Sequence, residues 1–392
     1  MKVLFIISNS INNFVHIGLG RAKKQLFDAV LKLSKIDNFT LETLDNMTSR
    51  EYDYIIAYDS RYDVISKIIE ERKLTGKIIY ITSSIEAQMV TPQFISDLFK
   101  NRPYKLLATS KFGCDAIYNT VNILSEAASK NNDNISVNFF KYIKDITSYI
   151  YLYSDSNIYK NLDIDKDKYK NDFGIDTKFN FIFSGAITEF YEDRKQIFRL
   201  IKLFNKAFSD NKDIGLILKL NTLESNMTYS EIEYIKNFML SYLVSNNINS
   251  KIYFIFNKLT DEQMNILYNI SDCFLSISSG EGFGYPFLEA SLAGLPILAL
   301  EHSAYTEFVK VTPIEYSLEF VPDKLLKKYN YWYVPGQKIF AMANEDDFIK
   351  KVKKMAYEKD YYNYAKERTK KADFNGFISD DKMIERFREI MK

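Results

Sequence analysis

The sequence predicts an α/β protein built from two doubly wound, Rossmann-like domains. Short apolar and β-branched runs recur without strict alternation, as is typical of strands buried on both faces of a parallel sheet. The segments between them can form helices, which gives a βαβα order. The runs are KVLFII, YDYIIAY, KIIYIT and YKLLAT, then FNFIFS, GLILKL, KIYFIF, CFLSIS and PILAL.

The two groups of strands are separated by a polar stretch over residues 131–178. We therefore predict an N-terminal domain over residues 1–160 and a C-terminal domain over residues 161–375. The last segment, 376–392, reads as an amphipathic helix whose first acids favour its N-terminal dipole.

Composition excludes several classes of protein. Of 392 residues, 46% are hydrophobic and 26% are charged, which is enough apolar material for a core. A net charge of +1 creates no overall field that would recruit nucleic acid. Cys114 and Cys273 lie far apart, and His16 and His302 are isolated. The sequence therefore predicts neither a disulfide framework nor a Cys/His zinc site, and it favours a reducing cytoplasm.

No segment predicts a leader or a membrane span. The first ten residues contain five consecutive apolar residues, too few for a signal-peptide core. The longest later apolar run, 290–300, is about half of a membrane span and is interrupted by Pro296. We expect a cytoplasmic protein that is peripheral to the inner membrane face at most.

The stretch SSGEGFGYPFLEASLAG, residues 278–294, combines a strand end, a glycine turn and a helix. Pro286 falls in the first turn of that helix, where its missing N–H costs nothing. Gly294 and Pro296 end the helix before the next strand. In open α/β sheets such a turn lies at the carboxyl edge, where ligands bind.

The residue types in this turn indicate the ligand. Gly282 and Gly284 allow close backbone approach, and the amides of residues 285–288 at a positive helix end suit a diphosphate. Glu281 and Glu289 can accept hydrogen bonds from sugar hydroxyls. The predicted ligand is a sugar joined through a diphosphate to a ribose. The alternative is that both acids are solvated helix-end residues and the glycines only close a turn.

The same stretch resembles the acid-x7-acid signature of retaining glycosyltransferases of family 4, and the preceding NKLTDEQMNILYNISD resembles the family's lead-in. The resemblance implies a GT-B fold, with two domains facing across a cleft and the C-terminal helix crossing back to the first domain. It also implies transfer of a hexosyl group from a UDP- or GDP-sugar to a hydroxyl of a glycan, lipid or protein acceptor, with retention and without a metal or other cofactor. The matching residues are Glu281, Gly282, Phe283, Gly284, Pro286, Leu288, Glu289, Ala290, Gly294 and Pro296.

The resemblance also implies roles for single residues. Glu289 would bind the ribose hydroxyls and Glu281 the transferred sugar. Lys195 would neutralise the departing diphosphate, with Arg194 beside it, because negative charge grows on the leaving group. The donor-binding turn would comprise Gly282, Phe283, Gly284, Tyr285 and Pro286. Base contacts would come from the backbone near residues 257–259.

Some family features are replaced in this sequence. Ala186 stands where a second arginine often follows the strand, and the loop before Lys195 is longer than usual. A surface Arg-Lys pair is the alternative interpretation of Arg194 and Lys195. Asp163 and Asp165 have the spacing of a metal-binding DxD but lie in a polar helix entry, so we predict no metal site there.

The first domain resembles the family more loosely. Gly18 and Gly20 resemble the glycine loop that faces the donor phosphates, although a plain turn fits them too. The helix that follows has a basic face, which either is solvated or lies on an anionic membrane. That face comprises Arg21, Lys24, Lys32 and Lys35.

The acceptor side is predicted from isolated residues. Many relatives place a histidine in the loop that corresponds to residues 83–86, which here is Ser-Ser-Ile-Glu, so His16 could replace it. Ser110 and Lys111 should line the cleft on this side. Glu307 either matches a glutamate that ends a family loop or caps a helix.

Two other functions remain open. A binding or scaffold protein without turnover would also fit, because Ala186 and the missing histidine remove two usual contacts. A retaining sugar phosphorylase would need a lysine that carries a cofactor, and the sequence shows no motif for one.

Overall fold

The structure is a computed structural model, and it describes the chain in seven segments. They are residues 1–7, 18–82, 85–187, 194–222, 229–328, 333–370 and 378–392.

The N-terminal domain contains a six-stranded parallel sheet. Its strands are β1 (Lys2–Ile6), β2 (Thr40–Thr43), β3 (Glu51–Asp59), β4 (Thr75–Thr82), β5 (Lys105–Ala108) and β6 (Thr147–Tyr149). Their order is β2-β1-β3-β4-β5-β6, so the direction of winding reverses between β1 and β3. The helices of this domain are α1 (Gly18–Ile36), α2 (Tyr62–Glu71), α3 (Pro92–Asp97), α4 (Lys111–Lys130) and α5 (Asn134–Ile146).

The C-terminal domain contains a second six-stranded parallel sheet. Its strands are β7 (Phe179–Ile187), β8 (Ile214–Thr222), β9 (Lys251–Ile255), β10 (Cys273–Ser276), β11 (Ile297–Leu300) and β12 (Thr312–Ile314). Their order is β12-β11-β10-β7-β8-β9, so the winding reverses between β10 and β7. The helices around this sheet are α6 (Lys166–Asp172), α7 (Ile197–Phe208), α8 (Tyr229–Ser245), α9 (Asp261–Ile270) and α10 (Tyr285–Leu292), with a 3-10 turn at Ala304–Glu307.

An antiparallel hairpin extends the C-terminal domain and was not predicted from the sequence. It pairs β13 (Tyr316–Phe320) with β14 (Lys338–Ala343), and α11 (Asp323–Lys328) lies between them in the chain. A small apolar cluster connects this region to Ala87 of the N-terminal domain. Its other members are Val321, Leu325, Tyr333, Ile339 and Phe340.

The C-terminal segment returns to the first domain. The last helices are α12 (Glu345–Tyr357), α13 (Lys359–Lys370) and α14 (Asp380–Ile390). α14 packs on α1, where Arg388 donates two hydrogen bonds to Asp37 at 2.8 and 2.9 Å and Lys32 pairs with Asp380. The buried residues of α14 join the same core cluster as α1, and they are Met383, Ile384, Phe387 and Ile390.

The predicted fold class is confirmed, because the structure has two α/β domains with parallel sheets. The polar stretch 131–178 contains two elements of the first domain. The strand β6 pairs with β5, and the helix α5 buries Phe139, Ile143 and Ile146. Among the described residues, no helix is both long and apolar enough to cross a membrane.

Candidate functional site

The candidate site lies where the winding of the C-terminal sheet reverses. Chains that leave β7 and β10 diverge at this point, so the carboxyl ends of these strands border a crevice. Arg194 and Lys195 lie between β7 and α7, whereas Glu281 lies between β10 and α10. Topology therefore brings together residues that are more than 80 positions apart in the chain.

Glu281 is held between two cations. Lys195 Nζ donates to Glu281 Oε1, and Arg194 Nη1 donates to Glu281 Oε2 at 3.2 Å and to the Gly280 carbonyl at 2.8 Å. Glu281 and Lys195 are only 5% and 7% exposed. Lys195 and Arg194 are therefore not a solvated surface pair, and the alternative interpretation of them is wrong.

The backbone around this cluster is positioned by Gln196, which precedes α7 with a left-handed φ of +53°. Its side-chain amide donates to the carbonyl groups of Ile277 and Ala341, both at 2.9 Å, and to Ser279 Oγ at 2.7 Å. These bonds join the start of α7 to the end of β10 and to β14. These bonds therefore fix the backbone position from which the Lys195 side chain extends into the crevice.

Burial and charge act in opposite directions on the two partners. Burial alone would raise the pKa of Glu281, but the adjacent charges of Lys195 and Arg194 outweigh it and lower that pKa. Burial lowers the pKa of Lys195, although Glu281 partly offsets the effect. Each group therefore favours the charged form of its partner.

Glu86 completes the cluster from across the cleft. It follows β4 in the N-terminal domain and forms an ion pair with Arg194. Burial raises the pKa of Glu86 to about 7, because the nearby negative charge of Glu281 adds to it and Arg194 only partly opposes it. Glu86 lies in the loop where the family resemblance implies a histidine, so a carboxyl group occupies that region here.

The glycine turn leads into α10 as predicted. Gly284 precedes the helix with φ +94°, and Gly294 follows it with φ +81°. A Cβ atom on Gly284 would lie 3.0 Å from Tyr305, so both the backbone angle and the packing favour glycine. Pro286 lies in the first turn of the helix. The neighbouring ring of Phe283 is buried against Tyr285 and Phe308.

The prediction that the amides of residues 285–288 are free to bind a diphosphate is wrong for two of them. The N–H groups of Phe287 and Leu288 both donate to the Gly284 carbonyl, at 3.0 and 3.3 Å. They are therefore not available to a diphosphate, because the helix already uses them. The Gly282 carbonyl accepts a hydrogen bond from Thr109 of the N-terminal domain at 3.3 Å.

Glu289 is 4% exposed and bonds to both domains. Tyr268 donates to its Oε2 at 3.1 Å, and Arg21 of the N-terminal domain donates to its Oε1. Burial raises the pKa of Glu289, and the Arg21 guanidinium limits that rise. The prediction that Arg21 belongs to a solvated basic face is therefore wrong, because this side chain points into the cleft.

Other predicted residues of the first domain lie at helix ends. Gly18 and Gly20 lie within the first turn of α1 rather than in a loop before it, because the helix begins at Gly18. His16 and residues 83–84 lie outside the described residues. Ser110 is buried and caps α4 by accepting from Gly113 N–H at 3.1 Å.

Glu307 joins the domains on the predicted acceptor side. Its carboxylate accepts hydrogen bonds from the Lys111 N–H at 3.0 Å, the Phe112 N–H at 2.5 Å and the Tyr151 hydroxyl at 2.6 Å. Glu307 therefore caps a helix, as one interpretation predicted, but that helix is α4 of the other domain. The Lys111 side chain is exposed.

The acid pair of the DxD spacing has a local role. Asp165 accepts from the Lys168 N–H at 3.1 Å and caps α6, as expected of a helix entry. Residues 257–259 connect β9 to α9, whose first turn is closed by a capping box at Thr260.

Three residues of the site were not identified from the sequence, namely Arg21, Glu86 and Gly280. Glu86 stands in the loop where the resemblance implies a histidine and Arg21 follows Gly20 directly, but neither position indicates a role for its side chain. Only the opposing domain gives Arg21 and Glu86 their partners. A prediction of which loops face each other could have found them.

Comparisons with known proteins bear on the family and the fold of this chain. Residues 165–328 match the family model described as Glycosyl transferases group 1, a segment that includes Lys195, Glu281 and Glu289. A search of curated proteins by sequence found no match.

Solved structures resemble the whole chain. HepE from Anabaena, in complex with UDP and glucose, has a TM-score of 0.57 at 15% identity, covering 99% of this chain and 98% of that one. A glycosyltransferase from Rickettsia africae has a TM-score of 0.58 at 13% identity, covering 100% and 97%. Sucrose-phosphate synthase from Thermosynechococcus elongatus has a TM-score of 0.58 at 10% identity, covering 100% and 98%. These likenesses establish the GT-B fold.

Proposed function

We propose that the protein is a retaining glycosyltransferase that transfers a hexosyl group from a UDP- or GDP-sugar to an acceptor hydroxyl without a metal ion. The observation that carries the proposal is the contact of Lys195 and Arg194 with Glu281 at the point where the sheet reverses. The match of residues 165–328 to group 1 glycosyl transferases supports it, as does the fold shared with HepE, which was solved with UDP-glucose. The two free, buried cysteines support a cytoplasmic location.

The donor would lie along the crevice from Glu289 to Glu281. Glu289 accepts hydrogen bonds from the ribose hydroxyls, and the diphosphate lies at the start of α10, whose dipole favours anions. Lys195 and Arg194 then face the phosphate that becomes the leaving group. Buried cations stabilise a leaving phosphate strongly, because little water is present to screen their charge and because they are in position before the reaction begins.

Transfer follows a front-face course. The bond between the anomeric carbon and the phosphate oxygen breaks, and the acceptor oxygen forms its bond on the same face of the sugar. The acceptor proton passes to the leaving phosphate oxygen, so no protein base is needed. Glu281 orients the sugar rather than forming an adduct with it, because in this course the acceptor oxygen itself attacks the anomeric carbon.

Donor binding requires an exchange of partners. Lys195 and Arg194 are neutralised by Glu281 and Glu86, so a diphosphate competes with these carboxylates for them. Because burial raises the pKa of Glu86 to about 7, this group can take up a proton near neutral pH and release Arg194. Glu281, whose cations now bind the diphosphate, then accepts hydrogen bonds from the sugar hydroxyls.

A binding protein without turnover is the second candidate. It is favoured by the bond between Arg21 and Glu289, which occupies the carboxylate assigned to the ribose, and by Ala186, which replaces a cation. Such a protein would bind a nucleotide sugar and leave it intact. Assays of turnover distinguish it from the enzyme.

The test is a thermal-shift panel of UDP, GDP, ADP and their sugars, followed by detection of sugar release. A ligand that binds the folded state raises the Tm, so the matching nucleotide should stand out from the others. NMR of the sugar product then reports whether the anomeric configuration is retained. Failure of every nucleotide to shift the Tm would overturn the proposal, and binding without hydrolysis or transfer would favour the second candidate.

A further inference from the structure

We propose that Arg21 is a ligand of the donor diphosphate, and that it reaches the diphosphate by exchanging its partner Glu289 for the ribose. This inference rests on the proposed function and adds a residue from the N-terminal domain to the donor site. The contact that we assign to the Arg21 side chain is separate from those of Arg194 and Lys195, which belong to the C-terminal domain.

Arg21 lies between the two domains. It belongs to the first turn of α1, near the point where the winding of the N-terminal sheet reverses. Its guanidinium group bonds to Glu289 and donates to Ser154 Oγ at 3.4 Å. The same group lies over the rings of Tyr285, at 4.6 Å, and Tyr159, at 5.6 Å. Arg21 is therefore held by groups from both sides of the cleft.

The carboxylate of Glu289 is 4% exposed, and two side chains cover its oxygens. Oε1 accepts from Arg21, and Oε2 accepts from Tyr268 at 3.1 Å. Each carboxylate oxygen can accept more than one hydrogen bond, but a ribose can bring its two neighbouring hydroxyl groups to these oxygens only where no side chain covers them. Ribose binding at Glu289 therefore displaces the guanidinium of Arg21.

A displaced arginine needs another anion. Its guanidinium stays protonated at any ordinary pH, and a buried charge without a partner is strongly unfavourable. The nearest new anion is the diphosphate, because Tyr285, which the guanidinium already covers, is the first residue of α10. Arg21 therefore has only a short distance to move, and its planar fork suits phosphate oxygens.

The charge balance of the site supports this exchange. Three cations face three carboxylates in the structure, and each cation is paired with at least one of them. These residues are Arg21, Arg194, Lys195, Glu86, Glu281 and Glu289. Once the neutral ribose replaces Arg21 at Glu289, Arg21 becomes a cation available to the phosphates.

The test compares UDP with uridine, and GDP with guanosine in parallel, on the full chain with Arg21→Met. We expect the variant to bind the nucleoside diphosphate at least tenfold more weakly than the wild type. Nucleoside binding should stay equal or improve, because the competitor for Glu289 is gone. Lys24→Met is the matched control, since Lys24 lies on the same helix and pairs only locally with Asp28 among the described contacts. This control should bind all four ligands as the wild type does.

Each other result overturns the inference. An equal loss for nucleotide and nucleoside would mean that Arg21 only organises Glu289, and an equal gain would mean that it only competes. If Arg21→Met does not fold, as judged by its Tm, Arg21→Lys replaces it and should lower the ratio of nucleotide to nucleoside affinity while retaining part of it. If the wild type binds none of the four ligands, the proposed function itself fails. In every other outcome the wild type binds a ligand, and only the role of Arg21 is at issue.

Discussion

The backbone carbonyl of Glu86 lies directly against Gly280 across the interdomain cleft. A Cβ atom on Gly280 would lie 1.8 Å from the Glu86 carbonyl oxygen, which no side chain can tolerate. Glycine is required at this position by the approach of the opposing domain and not by its own backbone angle, since its φ is not in the positive range. The contact sets how closely the loops after β4 and β10 can meet.

Gly280→Ala is therefore expected to hold the domains apart. The displacement separates Glu86 from Arg194, and we expect kcat/KM to fall by about 100-fold, because misplacement by about 1 Å can have that effect. Steady-state kinetics together with small-angle scattering would measure the loss and the wider cleft. Gly174→Ala is the control: an alanine would be strained by the φ of +69° there, but nothing lies within 4 Å of its Cβ position. Equal losses in both variants would contradict the prediction.

Lys195→Ala should lower turnover more than donor affinity. In the proposed mechanism the ammonium group faces the leaving phosphate, so its loss removes an interaction that strengthens as negative charge develops. We expect kcat to fall by about 100-fold or more with a smaller change in KM. Lys202→Ala, on the exposed face of α7, should behave as the wild type. A variant that keeps its kcat would remove Lys195 from the proposed mechanism.

Glu289→Ala should mainly weaken nucleotide binding. Without the carboxylate the ribose hydroxyls lose their acceptor, and we expect the Kd of the nucleotide to rise about tenfold, or about 1.4 kcal/mol. Glu289→Gln separates the loss of charge from the loss of shape, because it keeps the contact with Tyr268 possible. Calorimetric titration measures the change, and the exposed Glu262→Gln on α9 serves as the control. If the Kd stays unchanged in both Glu289 variants, this residue does not bind the ribose.

Glu86 should make stability depend on pH. Its pKa is raised from 4.5 to about 7 by burial, so between these values the folded protein binds a proton that the unfolded chain has released. The contribution of this group to the free energy of unfolding is complete below pH 4.5 and is lost as the pH rises through 7. The wild type should therefore lose Tm relative to Glu86→Gln between pH 5 and pH 8. Parallel Tm profiles for the two proteins would contradict the raised pKa.

Several elements of the fold follow from local sequence signals. Buried strands such as β1 and β7 are continuous apolar runs, and parallel pairing explains why they do not alternate. The turn before α10 is specified by Gly284 and Pro286, whose backbone preferences match a left-handed residue followed by a first helical turn. The hairpin of β13 and β14 could not be predicted in this way, because Ala87 of the other domain completes its apolar cluster.

The sequence by itself determined the α/β class, the two parallel sheets and the glycine turn that carries Glu281 and Glu289, because these depend on local periodicity and on residues with restricted backbone angles. Only the tertiary structure decided which charges meet. Arg21 and Glu86 form ion pairs with the opposite domain, and Glu307 accepts hydrogen bonds from its backbone. Contacts between distant loops leave no spacing that a sequence could reveal. The physical reason is that the charge of a residue follows from its own side chain, whereas its burial and its partner exist only when both domains pack together.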